Sequence, residues 1–223
     1  MKNIALIPAR GGSKRLIGKN TQLLGGIPLL AHSILYAQQF PDVLDGIFVS
    51  TDDTEIKSIA LSFGAQVIDR PEALAADDSP TYSCLQHAME QLGPGIETLY
   101  LLQPTNPLRP QHLLREAQAT FAKQNGSSLF TVSRSQHKLG KIAHQQFVPY
   151  NYTPGQRSQD LEPLYFENGL LYITTPAVLV QNTVFDAQAI PFEVDHPYAQ
   201  VDIDTQADFE YAEYLVQKTQ RLI

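Results

Sequence analysis

Short apolar runs alternate with longer amphipathic segments along most of the chain. The apolar runs are rich in β-branched residues, which predicts strands at 3–9, 46–50, 66–68, 98–102, 128–133, 169–174 and 190–194. The amphipathic segments predict helices at 28–39, 54–63, 81–92, 111–123 and 205–221. This alternation predicts an α/β fold with a mostly parallel sheet that is covered by helices on both faces.

The alternation breaks between about residues 137 and 168. Two glycines and three prolines interrupt short polar and aromatic pieces there. A structureless loop of roughly thirty residues is unusual inside a compact domain. We therefore predict a single domain over residues 1–223 with an excursion at about 137–168 that packs on a partner subunit.

Positive charge is concentrated near the N-terminus. Five of the 16 lysines and arginines lie in the first 41 residues, and the first acidic residue is Asp42. The net charge of −7 nevertheless argues against general nucleic-acid binding, which needs a broad basic face. We expect a small polyanion to bind the local basic segment.

The single cysteine and the lack of long apolar runs limit the cellular compartments in which we expect the protein. Cys84 cannot form an intrachain disulfide, which favours a reducing compartment, and we expect a packed thiol rather than a nucleophile. No apolar run approaches the roughly 20 residues that span a bilayer. The apolar run at 3–9 meets a basic loop rather than a cleavage site. We expect a soluble, cytoplasmic protein.

A glycine-rich basic loop follows the first predicted strand, in the sequence ALIPARGGSKRLIGKN. It misses the P-loop pattern, because Gly12 and Gly18 enclose five residues and Asn20 follows Lys19. It also lacks the GxGxxG fingerprint of dinucleotide-binding folds. Backbone N–H groups of such a turn can approach phosphates while its cations neutralise them. We interpret the loop as a phosphate site; the alternative is a solvated basic loop.

A second candidate is the sequence VDIDT at 201–205. Read as a strand, it places Asp202 and Asp204 on one face, and paired carboxylates are ligands that Mg²⁺ prefers beside substrate phosphates. The alternative is that Asp204 or Thr205 caps the following helix. Asp52 and Asp53 are likewise either ligands or caps of the next helix. Neither a zinc-hydrolase HExxH pattern nor a GxSxG elbow occurs.

Six segments together resemble one enzyme family. IPARGGSKRLIGKN, VSTDD, RPEALAADDSPT, LLQPTNPLR, FENGLLYI and VDIDT occur in the order and spacing seen in acylneuraminate cytidylyltransferases, the CMP-sialic acid synthetases. The resemblance covers essentially the whole chain. It implies a Rossmann-like nucleotidyltransferase fold, Mg²⁺ as cofactor, and a homodimer in which the excursion packs across the interface.

The reaction implied by the resemblance joins CTP to the anomeric hydroxyl of a nine-carbon 2-keto acid sugar, giving the CMP-sugar and pyrophosphate. The sugar would be sialic, pseudaminic or legionaminic acid. The alternatives are a cytidylyltransferase for a different acidic sugar, such as a ketodeoxyoctulosonate, and a non-catalytic nucleotide-binding module.

The resemblance also assigns roles to individual residues. Arg10, Lys19 and Asp204 would be catalytic, and Asp202 and Asp204 would hold the metal, one of them also helping to activate the sugar hydroxyl. The nucleotide would be bound by Ala9, Arg10, Gly11, Lys14, Lys19, Asn20, Arg70, Ser79 and Thr81. The sugar would be bound by Gln103, Lys141, Arg157, Asn168 and Tyr172.

Two positions depart from the family pattern. Arg15 stands where sialic acid enzymes often have glycine, whereas GGSKR is frequent among relatives that act on pseudaminic or legionaminic acid. Thr81 stands where serine is common, which preserves the hydroxyl. The first departure leaves the identity of the sugar open.

Overall fold

The computed structural model describes residues 1–220, and its centre is a seven-stranded sheet. The strands are β1 (Asn3–Pro8), β2 (Leu23–Leu24), β3 (Ile27–Pro28), β4 (Gly46–Thr51), β5 (Gln66–Asp69), β6 (Thr98–Leu101), β7 (Ser128–Ser135), β8 (Gly140–Ala143), β9 (Gln146–Pro149), β10 (Leu164–Thr174) and β11 (Ile190–Glu193). The helices are α1 (Leu29–Ala37), α2 (Thr54–Ser62), α3 (Thr81–Leu92), α4 (Leu113–Gln124), α5 (Pro176–Leu179) and α6 (Gln206–Gln220). The predicted end of the last helix, Arg221, lies outside the described residues.

The central sheet is mostly parallel, as the sequence pattern predicts. Its strand order is β11-β7-β10-β6-β1-β4-β5. Strands β6, β1, β4 and β5 pair in parallel, and β7 pairs in parallel with β11. Strand β10 runs antiparallel to both β6 and β7. The carboxyl ends of the other six strands therefore meet at one edge of the sheet, where α/β folds bind ligands.

Two apolar layers cover the faces of the sheet. Ile34, Val49 and Tyr100 belong to one buried cluster, and Leu6 and Leu85 belong to the other. Strand β1 is apolar along its length because it contributes to both layers, as expected of a central parallel strand. Each fully buried leucine or isoleucine contributes roughly 1.5–3 kcal/mol to folding.

A third apolar cluster anchors the segment before α6. Val201 and Ile203 are buried against the helix, where they join Leu24, Leu29 and Phe209. The intervening side chain of Asp202 is exposed, and Asp204 is partly exposed. This alternation holds the backbone between the two aspartates in a fixed place.

The predicted boundary at residue 169 is wrong, because β10 begins at Leu164. Gly169 has φ 73° and lies in a bulge, where the pairing with β7 shifts between Glu167 and Tyr172. A side chain there is excluded, since a Cβ would lie 2.6 Å from Oδ1 of Asn106. The bulge breaks the alternation of the strand, which explains why residues 164–168 read as part of the excursion.

Residues 137–163 leave the sheet and contain a hairpin of their own, formed by β8 and β9. His144 and Gln145 both have positive φ at its tip, the geometry of a tight hairpin turn. Large apolar side chains are exposed on and beside it: Leu139, Ile142, Phe147, Val148 and Tyr150. Within residues 1–220, no helix has the length and apolar character needed to cross a membrane.

Candidate active site

A polar cavity of about 550 Å³ opens at the carboxyl edge of the parallel strands. Its walls come from the glycine-rich loop after β1, the segment before α3, the turn after β6 and the segment before α6. Nine residues to which the sequence assigns a site role line it: Arg10, Lys14, Lys19, Asn20, Arg70, Ser79, Thr81, Gln103 and Asp204. The structure thus brings together residues up to 194 positions apart in the chain.

The glycine-rich loop (residues 9–20) is fixed at its base by the neighbouring strand. The Ala9 N–H donates to the Ser50 carbonyl at 3.0 Å, and the Gly11 N–H donates to Oδ1 of Asp52 at 3.1 Å. A Cβ on Gly11 would lie 2.6 Å from Oδ2 of Asp53, so the close approach requires glycine. Ala9 and Gly11 therefore shape the loop from behind and do not line the cavity.

Asp53 is the cap of the following helix. Its side chain accepts hydrogen bonds from the N–H groups of Glu55 and Ile56 at 2.8 and 2.9 Å. The structure thus favours the capping alternative for this residue. Asp52 instead holds the glycine-rich loop through Gly11.

The four cations of the loop are shared between two carboxylates from distant parts of the chain. Asp77 pairs with Nη2 of Arg10 at 2.8 Å and with Nζ of Lys14. The hydrogen bond from Lys14 lowers the pKa of Asp77. Asp204 pairs with Nζ of Lys19 and with Nη1 of Arg15, both at 3.1 Å.

Lys19 is the most buried of these cations, with 12% of its side chain exposed. Its ammonium also donates to the Ile203 carbonyl at 2.8 Å. Asn20 is buried beside it and donates from its side-chain amide to the Arg10 carbonyl at 2.9 Å. The far end of the loop is therefore tied both to its own start and to the segment that carries Asp204.

The segment 201–205 is extended but forms no regular strand, so the strand prediction for VDIDT is wrong. The Ile203 N–H donates to the Thr105 carbonyl at 2.8 Å, which ties the segment to the turn after β6 without a strand ladder. Thr205 and Asp208 form a capping box at the start of α6, since Asp208 accepts from the Thr205 N–H and hydroxyl. Thr205 takes the capping role, which leaves the Asp204 carboxylate free to face the cavity.

Asp202 lies outside the cavity lining. Although the residue as a whole is exposed, neighbouring protein atoms desolvate its carboxyl group and raise the pKa; the hydrogen bond with Thr105 opposes the rise, and the charge of Asp204 adds to it. The two carboxylates are thus close enough to interact. Within residues 1–220, no group of three or more acidic, histidine or cysteine side chains could hold a metal ion unaided.

Arg70 and the start of α3 form a less charged wall of the cavity. Nε of Arg70 donates to Oγ of Ser50 at 3.1 Å, and burial lowers the pKa of its guanidinium. Ser79 and Thr81 place hydroxyls on either side of Pro80 at the helix start. Cys84 is buried, and burial raises the pKa of its thiol, which fits the expected packing role.

Four of the five predicted sugar residues lie away from the cavity lining. Asn168 is buried in the sheet, where Thr131 donates to its side chain, and the Tyr172 hydroxyl donates to Glu167 at 2.8 Å. Lys141 and Arg157 lie on the excursion. Gln103 alone of this set faces the cavity.

Two residues that the sequence reasoning left unassigned contribute to the site. Asp77 pairs with two loop cations, and the acidic pair in RPEALAADDSPT was its only signal. Arg109 is buried and donates to the carbonyls of Gln103 and Leu170 at 2.9 and 2.7 Å. Burial lowers its pKa to about 10. Arg109 is the last residue of the segment LLQPTNPLR, but the resemblance assigned it no role.

Comparison with known proteins shows which family this chain belongs to. A family model described as "Cytidylyltransferase" matches residues 4–222. The chain is 35% identical to the CMP-N,N'-diacetyllegionaminic acid synthase of Legionella pneumophila over 100% of both chains. It is 31% identical to the pseudaminic acid cytidylyltransferase of Campylobacter jejuni, over 96% of both. It is also 31% identical to the N-acylneuraminate cytidylyltransferase of Escherichia coli, over 99% of this chain and 53% of that protein.

Two solved structures share the fold. CMP:2-keto-3-deoxy-manno-octonic acid synthetase, solved in complex with CTP, matches with a TM-score of 0.75 at 18% identity, over 98% of this chain and 100% of that one. The 4-diphosphocytidyl-2C-methyl-D-erythritol synthase of Anaerococcus prevotii matches with a TM-score of 0.69 at 15% identity, over 97% and 96%. At these identities the likeness supports the fold alone.

Proposed function

Because the chain belongs to the cytidylyltransferase family, we propose that it couples CTP to a nine-carbon 2-keto acid sugar and releases pyrophosphate. The protein is a nucleotidyltransferase enzyme. One structural observation carries the residue-level proposal. The cavity joins the cations of the glycine-rich loop to Asp204, as a site for a polyphosphate and its counter-ion requires.

The nucleotide would lie between the loop and the start of α3. Arg10, Lys14 and Lys19 place three positive charges along one wall, where they would contact the triphosphate. The less charged wall, with Arg70, Ser79 and Thr81, would hold the ribose and the cytosine together with Asn20 from the end of the loop. Ala9 and Gly11 support this arrangement by setting the path of the loop.

The reaction is an in-line displacement at the α-phosphorus. The sugar hydroxyl forms the new P–O bond and gives its proton to Asp202 or Asp204, the pair expected to activate it, while the bond to the β-phosphate oxygen breaks and its electron pair leaves on pyrophosphate. Most of the required stabilisation is electrostatic. Lys19 is suited to this role because it is nearly buried and held by Ile203 and Asp204. Arg10, on the same wall, would neutralise negative charge on the phosphates.

The donor atoms of Asp202 and Asp204 fit a magnesium ion. Both offer carboxylate oxygens, they interact electrostatically, and Asp204 faces the phosphate cavity. Mg²⁺ is commonly held by one or two carboxylates together with substrate phosphates. When bound, the ion would neutralise phosphate charge. Mg²⁺ at these two residues is thus part of the proposal.

The sugar side would be completed by a second copy of the chain. Gln103 lies at the cavity, whereas Lys141 and Arg157 lie on the excursion. The exposed apolar surface of that excursion suits burial in a homodimer. Asn168 and Tyr172 would support the sugar side indirectly, since Asn106 of the turn after β6 donates to the Asn168 carbonyl and Tyr172 donates to Glu167 within β10. The single cysteine fits a reducing compartment, and we place the reaction in the cytoplasm.

The choice of sugar is tested with purified protein, CTP and Mg²⁺. Pyrophosphate release is measured with legionaminic, pseudaminic and sialic acids, and with an eight-carbon ketoaldonate. We expect turnover with at least one nine-carbon sugar. A preference for the eight-carbon acid would favour the alternative enzyme, and silence with every acid despite CTP binding would favour a non-catalytic module.

A further inference from the structure

Asp77 lines the cavity and is paired with two cations of the glycine-rich loop. Its two carboxylate oxygens contact two loop cations, one each: Arg10 at 2.8 Å and the Lys14 ammonium. A phosphate group that entered the cavity would need the same two cations. The carboxylate and the phosphate therefore compete for one set of partners.

We propose that Asp77 is a displaceable counter-ion of the polyphosphate subsite, which holds Arg10 and Lys14 when the subsite is empty and releases them to phosphate. This inference rests on the proposed function, because it concerns the same cavity. It adds a positioning residue that acts through the two cations. Asp77 thereby lowers the affinity for both the incoming triphosphate and the departing pyrophosphate.

The exposure of the ion pairs makes the exchange easy. The Lys14 side chain is 81% exposed and that of Asp77 is 39% exposed, so water screens both charges. Phosphate oxygens carry more negative charge than one carboxylate and accept stronger hydrogen bonds from the same donors. The arrangement contrasts with Lys19, which is nearly buried and also donates to a backbone carbonyl.

Arg10 has a second contact that keeps it near the site after the exchange. Its Nη1 donates to the Ala75 carbonyl at 3.3 Å, two residues before Asp77. The guanidinium can therefore turn one nitrogen from Asp77 to phosphate while it stays tied to the same segment. Lys14 has a long flexible stem and follows the anion.

The test measures binding of inorganic tripolyphosphate by titration calorimetry, without nucleotide, sugar or metal. Asp77→Asn removes the competing charge and keeps the size of the side chain. Asp78→Asn makes the same change of charge at the adjacent exposed position, which does not line the cavity. Asp77→Glu restores a carboxylate. Thermal denaturation of each variant checks that it is folded.

We expect Asp77→Asn to bind tripolyphosphate about fivefold more tightly than the wild type, since exposed ion pairs are worth at most about that factor. Asp78→Asn and Asp77→Glu should stay within about twofold of the wild type. Equal tightening in Asp77→Asn and Asp78→Asn would overturn the proposal, because it would reflect net charge alone. Weaker binding by Asp77→Asn would also overturn it, since Asp77 would then be arranging the cations for phosphate.

The result separates this inference from the proposed function. Tripolyphosphate reports the anion subsite, whatever base or sugar the enzyme uses. Failure to turn over any sugar would leave the binding comparison intact. Failure of the wild type to bind tripolyphosphate would overturn the counter-ion proposal even in an active enzyme.

Discussion

The glycine-rich loop and the β8–β9 hairpin both leave the sheet and both carry basic side chains. They differ in the partners that these side chains find within the chain. The loop folds back onto its own chain, where Asp77 and Asp204 take up its cations and Asn20 closes it. On the hairpin, Lys141 lies 5.9 Å from the ring centroid of Tyr150, and the flanking apolar side chains face solvent.

The difference bears on the two halves of the proposed active site. In our proposal the nucleotide half is completed within one chain, which agrees with the convergence of its assigned residues on one cavity. The sugar half, in our proposal, needs the hairpin of a second chain. Variants of the loop should therefore affect chemistry directly, whereas variants of the hairpin should act through assembly.

The largest effect is expected from Asp204→Ala. Loss of this carboxylate should lower Mg²⁺-dependent turnover by about 10³-fold or more, since metal-assisted charge stabilisation is worth several kcal/mol. Pyrophosphate release measured over a range of Mg²⁺ concentrations checks it. Asp195→Ala is the control, because it removes an exposed carboxylate outside the cavity. Retained activity in Asp204→Ala would contradict the proposal that Asp204 holds Mg²⁺. It would also contradict the proposed arrangement of the nucleotide half.

Lys19→Ala should have the next largest effect. We expect kcat to fall by about 10²- to 10³-fold while the Kd for CTP changes much less, because charge on the leaving pyrophosphate develops during the reaction. Steady-state kinetics and calorimetric CTP binding measure the two quantities. Lys57→Ala removes a surface lysine that pairs with Asp69 and serves as the control. Equal losses of kcat and affinity would reassign Lys19 to ground-state binding.

A charged substitution on the hairpin tests whether this region acts through assembly rather than through nucleotide binding. Ile142 is 83% exposed, so Ile142→Asp is compatible with the fold of one chain and would disrupt an apolar interface. We expect dissociation to monomers in sedimentation analysis and a rise of about tenfold in the KM for sugar. Calorimetric CTP binding should stay within about twofold of the wild type.

Val180→Asp is the matched control for the hairpin, because Val180 is 75% exposed and lies outside the hairpin, at the C-terminal end of α5. It should leave both the mass and the kinetics unchanged. A wild type that is monomeric at assay concentrations, or an Ile142→Asp variant that remains dimeric, would contradict the proposed interface.

The smallest effect is expected from Asp208→Asn, which weakens the capping box beneath Asp204. At pH 7 we expect the melting temperature to fall by about 2–4 °C. Hydrogen bonds from Thr205 lower the pKa of Asp208 in the folded protein. Its stabilisation is therefore present above the unfolded pKa of about 3.9 and is lost as the pH falls through the lower folded pKa.

Melting curves measured from pH 7 to pH 3 follow this loss. The difference between the wild type and Asp208→Asn should shrink as the pH falls. Glu210→Gln makes the same change of charge on the exposed side of α6 and should show a smaller difference at pH 7. A constant difference across the range would mean that the carboxylate charge is not what stabilises the cap.

The sequence was sufficient to predict the parallel strands, because strands buried on both faces are continuous apolar runs. It was misleading at β10, where Asn168 is polar yet buried. The partners of that side chain, Thr131 and Ser133, come from a neighbouring strand more than thirty residues away. Because the hydrogen bonds that allow Asn168 to be buried come from a distant part of the chain, no local sequence pattern reveals them. The start of this strand was therefore missed.

The same distinction applies to the site. The loop cations were recognisable because a stretch without acidic residues is a local property of the sequence. The pairing of Asp77 with Arg10 depends on how the segment before α3 folds against the loop, which local pattern does not reveal. Lys141 and Arg157 were assigned by the resemblance, and their roles remain predictions.

The place of β10 in the sheet also bears on the order of folding during synthesis. Strand β7 emerges from the ribosome before β10, but in the sheet β7 lies between β10 and β11 and does not touch β6. Residues 1–124 can assemble β1, β4, β5 and β6 from contacts between successive segments. Strand β7 must wait until the hairpin and β10 have been made. Mutations that destabilise β10 should therefore expose the edge of β7 that β10 covers and lower the yield of folded protein before they alter the enzyme.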